Sequence, residues 1–229
     1  MFYFSFDSQP FIAVIGDIVD SKKLQSRKDI QEKIKLLLSD INKEYSEDIT
    51  SKFMVTLGDE FQGLLHTGTH AIEIIERIER EMFPVKIRFG IGVGAITTDI
   101  DPNLPLGADG PAYYNARKMI DELKLYEKKN MESKPNVKIE LENNAGISEL
   151  INVIFSLNTA LKSKWTARQR EIINTYINCG RTQSDVAAKL GINQSTVQRI
   201  LSGSNFYTYQ QSIDKITQVL SNIKEGNRV

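Results

Sequence analysis

Two aspartates stand where the chain has little structural need of a charge. Asp17 ends an unbroken apolar run in AVIGDIVDSK, and Asp59 lies between Gly58 and Glu60 in TLGDEFQG. If these two segments lie side by side in one sheet, the carboxylates converge, and two like charges that close repel unless a divalent cation stands between them. Mg²⁺ or Mn²⁺ held by two carboxylates completes its shell with phosphate oxygens and water. Asp17 and Asp59 are therefore the expected metal ligands. The next residues, Ile18, Val19, Asp20 and Ser21, are the expected phosphate turn, because backbone N–H groups near a helix start suit an anion. The competing reading is plain turn chemistry, since Asp is common in turns. His66 and His70, four residues apart, could share a metal on a helix, but Gly68 lies between them and no third ligand is near.

A second set of residues suits a different polyanion. TQSDVAAKLGINQSTVQRIL (182–201) has the spacing of a helix-turn-helix. Thr182 is the expected N-cap of a first helix with Val186, Ala187 and Leu190 on its apolar face. Gly191 follows, where a helix commonly ends in a left-handed residue. A second helix starts at Asn193 and turns Val197, Ile200 and Leu201 inward. Its outward residues, Gln194, Ser195, Thr196, Gln198 and Arg199, can reach base edges and phosphates in a major groove, so duplex DNA is the expected partner. The competing reading is an ordinary helical hairpin. Upstream, TARQREIINTYINCG (166–180) has a capping Thr166 and reads as a supporting helix. Residues 161–204 hold seven lysines and arginines against Glu171 and Asp185, while the whole chain is neutral. That asymmetry suits a polyanion-facing end.

The elements that must position the aspartates are legible before residue 142. Phe11–Ile15 reads as a buried strand, and 27–43 as a helix through Ile30, Ile34, Leu37, Leu38 and Ile41. Residues 52–57 and 61–65 flank Gly58-Asp59-Glu60 as a hairpin. Residues 71–82 form an amphipathic helix, and VKIRFGIGVGAI a strand alternating through Val85, Ile87, Phe89 and Ile91. A helix over 110–125 and a strand over 136–141 complete a β-α-β-β-α-β-α-β series. The expected fold is α+β: an antiparallel, ferredoxin-like sheet with helices on one face, followed by an all-α helix-turn-helix domain. The boundary is set at 145/146, where Glu-Asn-Asn-Ala-Gly opens a helical joint with Ile147, Leu150, Ile151 and Ile154. A last helix over 205–224 follows.

Composition agrees with a soluble chain: 229 residues, 41% apolar and 25% charged. The single Cys179 excludes an internal disulfide and fits a reducing cytoplasm. The N-terminal MFYFSFDSQP has no basic leader, and no apolar run approaches a bilayer span.

GDIVDSKKL resembles the first-strand motif of class III nucleotide cyclases, and LGDEF their hairpin motif. RFGIGVGAI and GADGPAYYNARKMID resemble the cyclase strand and the helix after it. With the C-terminal helices, the whole pattern resembles the bacterial SatD family. That resemblance implies metal-ligand roles for Asp17 and Asp59 and a phosphate turn at 17–21. Cyclases carry an asparagine and an arginine on that helix; the matching positions here are Tyr114 and Lys118, and the base-selecting position is Gly107. Lysine keeps the charge but not the bidentate fork of arginine, so Lys118 is the remaining nucleotide-binding or catalytic candidate. The expected function is a DNA-binding regulator of transcription with a metal- and nucleotide-binding cyclase-like domain. The alternatives are a nucleotide cyclase or nucleotidyltransferase, and a palm that only dimerises. A homodimer is expected, since cyclase-like palms share sites across a two-fold and helix-turn-helix modules read paired half-sites.

Overall fold

The apolar run before Asp17 becomes β1 (Phe11–Ile18), the middle strand of a five-stranded sheet. A computed structural model describes Phe4, Phe6 and residues 8–24, 26–128 and 135–223 of the protein. After β1 come a short 3-10 turn (Ser21–Lys23), α1 (Arg27–Glu44), β2 (Ile49–Leu57), β3 (Glu60–Leu65) and α2 (Ala71–Met82). Then follow β4 (Ile87–Gly94), α3 (Pro111–Lys128), β5 (Val137–Leu141) and α4 (Ala145–Ser163). The last helices are α5 (Ala167–Asn178), α6 (Gln183–Leu190), α7 (Gln194–Gly203) and α8 (Phe206–Ser221). None of the described helices is long and apolar enough to cross a membrane. Two compact units result, 1–156 with 216–229, and 157–215.

In the first unit the strand order is β2-β3-β1-β4-β5. β1 pairs antiparallel with β3 and with β4, and β2 with β3. These four strands have the expected β-α-β-β-α-β order. Two expectations are corrected. The sheet is mixed, because α3 carries the chain back so that β5 lies parallel to β4. The helices are not confined to one face either. Paired residues in register share a face, so Ala13, Ile15, Leu64, Gly90 and Gly92 lie on one side. There Ala112, Tyr113, Ala116 and Ile120 of α3 pack against Ala13, Ile15 and Leu64. Gly90 and Gly92 permit this approach: a Cβ on them would stand 2.2 and 2.0 Å from the carbonyl oxygens of Ala116 and Ala112. The opposite face, with Ile12, Val14, Phe61, Phe89, Ile91 and Val93, is buried as well. α1 and α2 pack on each other and bury Ile34, Leu37, Leu38 and Ile41 of one, and Ile72, Ile75 and Ile78 of the other.

The second unit has its own core. Ile172 and Ile173 of α5, Val186 and Ala187 of α6, Val197 and Leu201 of α7, and Phe206 and Tyr209 of α8 bury together. Thr166 caps α5 reciprocally: its hydroxyl accepts the Gln169 N–H, while the Gln169 side chain accepts the Thr166 N–H. Gly191 ends α6 at φ 62°, the left-handed conformation expected of it. Thr182 does not cap α6 with its side chain as expected. Its hydroxyl is bonded instead to the Asp185 carboxylate, and lies 3.4 Å from the Cys179 carbonyl oxygen.

Candidate functional site

Register builds the site. Asp17 lies opposite Glu60 of β3 on one side and Arg88 of β4 on the other, so three charged residues form a row across the central strands. The row continues the face carrying Ile15, Gly90 and Gln62, against which α3 runs. α3 supplies the counter-charges. Glu60 accepts both terminal nitrogens of Arg117, at 2.5 and 2.7 Å. One oxygen of Asp17 accepts Arg88 and the other meets Lys124 at 3.0 Å. Arg88 also donates twice to Glu127, at 3.0 and 2.5 Å, the forked geometry that a guanidinium fits.

These charges are enclosed to different degrees. The side chains of Asp17 and Arg88 are only 8% and 11% exposed, while that of Lys124 is 36% exposed. Burial works against the charge on Arg88, but the carboxylates of Glu127 and Asp17 hold its guanidinium above the ordinary value. The Glu60 hydrogen bonds raise Arg117 in the same way, against its partial burial. Enclosing a charged group this deeply is costly unless it is paired and hydrogen-bonded.

Asp59 occupies the hairpin tip one residue before Glu60. Its carbonyl oxygen accepts the Ile18 N–H at 3.0 Å, which ties the tip to the end of β1. Its carboxylate accepts the Ser21 hydroxyl at 2.5 Å. Gln31 of α1 donates to the Gly58 carbonyl and holds the tip from the other side. Asp17 thus ends β1 and Asp59 sits in the hairpin turn bonded to the next residue of β1, and their carboxylates have different partners: Arg88 and Lys124 for Asp17, Ser21 for Asp59.

The turn after β1 is only partly free to take a phosphate. The Ile18 and Val19 N–H groups are already bonded, to Asp59 and to Lys86. From Asp20, which sits at φ 53°, the chain turns into the 3-10 segment with Lys22 and Lys23 exposed. Lys118 does not join the charged row: its ammonium meets Glu140 of β5 at 3.1 Å. Tyr114 is exposed and its hydroxyl donates to Asp109, whose carboxylate raises the phenol above its ordinary value. His70 pairs with Asp48, and His66 is exposed. Among the described residues no three His, Cys, Asp or Glu side chains gather as a metal group. A cation at Asp17 and Asp59 would rest on two carboxylates and complete its shell from elsewhere.

Local sequence pattern does not mark Arg88, Lys124, Glu127, Glu60 and Arg117 as members of one site. Arg88 had a signal: it shares its strand face with Gly90 and Gly92, where a long charged side chain needs a buried partner. In the second unit, Gln194, Ser195, Gln198 and Arg199 are exposed and Thr196 half-buried, while Val197 and Leu201 face the core. Of the joint residues on α4, Ile151 is buried, Ile147 and Ile154 half-buried, and Leu150 exposed.

Solved structures similar to this chain include the catalytic core of a rhodopsin-guanylyl cyclase with converted specificity in complex with ATPαS. It is 21% identical, with 48% of this chain and 71% of that one covered, at a TM-score of 0.33. The guanylate cyclase domain of RhGC from Catenaria anguillulae in complex with GTP is 20% identical, with 49% and 72% covered, at 0.33. A bacterial light-regulated adenylyl cyclase is 13% identical, with 69% and 81% covered, at 0.41. No curated protein matches the chain. The SatD family model matches residues 11–220, nearly the whole sequence, and the chain therefore belongs to the SatD family.

Proposed function

We propose that the first unit binds a nucleoside triphosphate together with Mg²⁺ or Mn²⁺, with Asp17 and Asp59 as the protein ligands of the cation. One observation supports this reading: Asp17 is buried at the end of β1, next to the residue whose N–H is bonded to the Asp59 carbonyl at the hairpin tip, and the Lys124 ammonium stands against the Asp17 oxygen that Arg88 does not hold. Hard oxygen donors suit these cations, and the Lys124 ammonium marks a position where positive charge is favoured. The cation would neutralise both carboxylates and take phosphate oxygens into its shell. Phosphate donors would come from the turn starting at Asp20, since Ile18 and Val19 spend their N–H groups on the fold. The nucleotide half of the reading rests on the cyclase-like motifs GDIVDSKKL and LGDEF. Cyclisation is the less favoured use of the site, because Tyr114 and Lys118 stand at the positions of the cyclase asparagine and arginine and are turned to Asp109 and Glu140.

A ligand that binds only the folded state raises its melting temperature. ATP or GTP with Mn²⁺ should raise the melting temperature of the full chain, and the Asp17→Asn, Asp59→Asn double variant should lose that rise. Unchanged melting with every common nucleoside triphosphate, in Mg²⁺ and in Mn²⁺, would remove the reading.

A second reading concerns the second unit and rests on the exposed polar face of α7. We propose that α6 and α7 form a helix-turn-helix that binds duplex DNA, through Gln194, Ser195, Thr196, Gln198 and Arg199. α7 carries only one cation, so a homodimer on paired half-sites would supply the missing affinity. With about four phosphate contacts per chain, and so about eight for the dimer, binding should weaken by roughly 10⁴-fold between 50 and 200 mM salt. Arg199→Ala should weaken it further, and sedimentation should find two chains per duplex. Salt-independent binding, or none at low ionic strength, counts against the module as a DNA reader.

A further inference from the structure

We propose that Lys124 is a tethered competitor of the divalent cation: it holds one oxygen of Asp17 until the cation takes that position. The inference rests on the metal reading above and adds a residue that sets the affinity of the site. The two cations on Asp17 are not equivalent. Arg88 is nearly enclosed and is bound to Glu127 as well, so its departure would break its bonds to two carboxylates at once. Lys124 is more than a third exposed, and among the described residues Asp17 is its only ion-pair partner. Its four-carbon stem lets the ammonium move into water while α3 stays in place.

A divalent ion and an ammonium cannot share one carboxylate oxygen without strong repulsion. Cation binding at Asp17 therefore requires Lys124 to leave, and the loss of that pair weakens the observed affinity. After release the ammonium remains beside the row, where a phosphate oxygen is its natural partner. The site would then favour a cation that arrives with a polyphosphate over a bare cation.

Titration of the full chain with MnCl₂ alone, followed by the spin-resonance signal of free Mn²⁺, tests this directly. Lys124→Met should bind Mn²⁺ about two- to fivefold more tightly than the wild type, the effect of removing one partly exposed ion pair. The gain should vanish in an Asp17→Asn background, because the competition acts only through that carboxylate. In the wild-type chain, Mn²⁺ should also speed acylation of the Lys124 amine, read by peptide mass spectrometry. This second measurement stands even if Lys124→Met folds poorly. Equal or weaker Mn²⁺ binding by a folded Lys124→Met, or acylation unmoved at saturating Mn²⁺, overturns the role of Lys124 and leaves the metal reading intact. No Mn²⁺ binding by either chain overturns both.

Discussion

Replacing Arg88 with leucine should cost the first unit about 3–5 kcal/mol, the usual loss when one partner of a buried ion pair is removed. Arg88 reaches Asp17 with one nitrogen and both oxygens of Glu127 with two others. Leucine fills part of the volume but leaves Asp17 enclosed, with Lys124 as its remaining counter-charge. Glu127 is about a third exposed and can recover water, so most of the penalty falls on Asp17. Arg88→Lys should lose less, since it keeps a charge but not the fork that serves two carboxylates at once. Asp17→Asn in the Arg88→Leu chain should restore part of the stability, because it removes the stranded charge. The only tryptophan, Trp165, lies in the second unit, so its fluorescence follows that unit alone. Urea unfolding should therefore show an earlier circular-dichroism transition with an unmoved fluorescence transition. A loss below about 1 kcal/mol would mean that the row behaves as a surface ion pair.

The row illustrates what the sequence could and could not disclose. β1, the hairpin and α2 were readable because their periodicities are local: apolar runs, a Gly-Asp turn and a stripe at helical spacing over 71–82. The left-handed Gly191 and the capping role of Thr166 are readable for the same reason, whereas the return bond from Gln169 shows only in the fold. The charged row joins residues from four elements, at positions 17, 60, 88, 117, 124 and 127, and each partner is assigned only by strand register and by the face that α3 covers. In β4 the apolar alternation marks Ile87, Phe89 and Ile91, while Gly90 and Gly92 look empty in sequence; they are where Ala112 and Ala116 bring α3 onto the sheet. With α3 on that face, β5 becomes parallel to β4 and Lys124 comes down on Asp17. Thr182 had the right type for a cap, but a carboxylate three residues on competes for its hydroxyl, a choice that local pattern does not decide.

Phe206→Ala should unfold most of the second unit while leaving the first one intact. Phe206 is essentially buried, and its ring lies 5.7 Å from Tyr176, 6.3 Å from Tyr209 and 6.4 Å from Trp165, centroid to centroid. It joins α5 and α8 to the core that also holds Val186, Val197 and Leu201. Removing a buried phenylalanine costs about 3–5 kcal/mol. A unit spanning 157–215 can bury only a small core, and domains of that size hold roughly 3–5 kcal/mol in total. The substitution should therefore consume nearly all of its stability. Trp165 donates its indole N–H to the Ser204 carbonyl at 2.8 Å and stacks edge-on to Tyr209, so it reports the loss as a red-shifted emission without denaturant. Duplex binding should disappear with it, if α6 and α7 are the DNA-reading elements. Mn²⁺ binding should remain, because Asp17, Asp59 and Lys124 all lie in the first unit. Loss of both activities would show that the two units fold as one cooperative body; retention of native emission would show that the aromatic cluster contributes little to holding α7 in place.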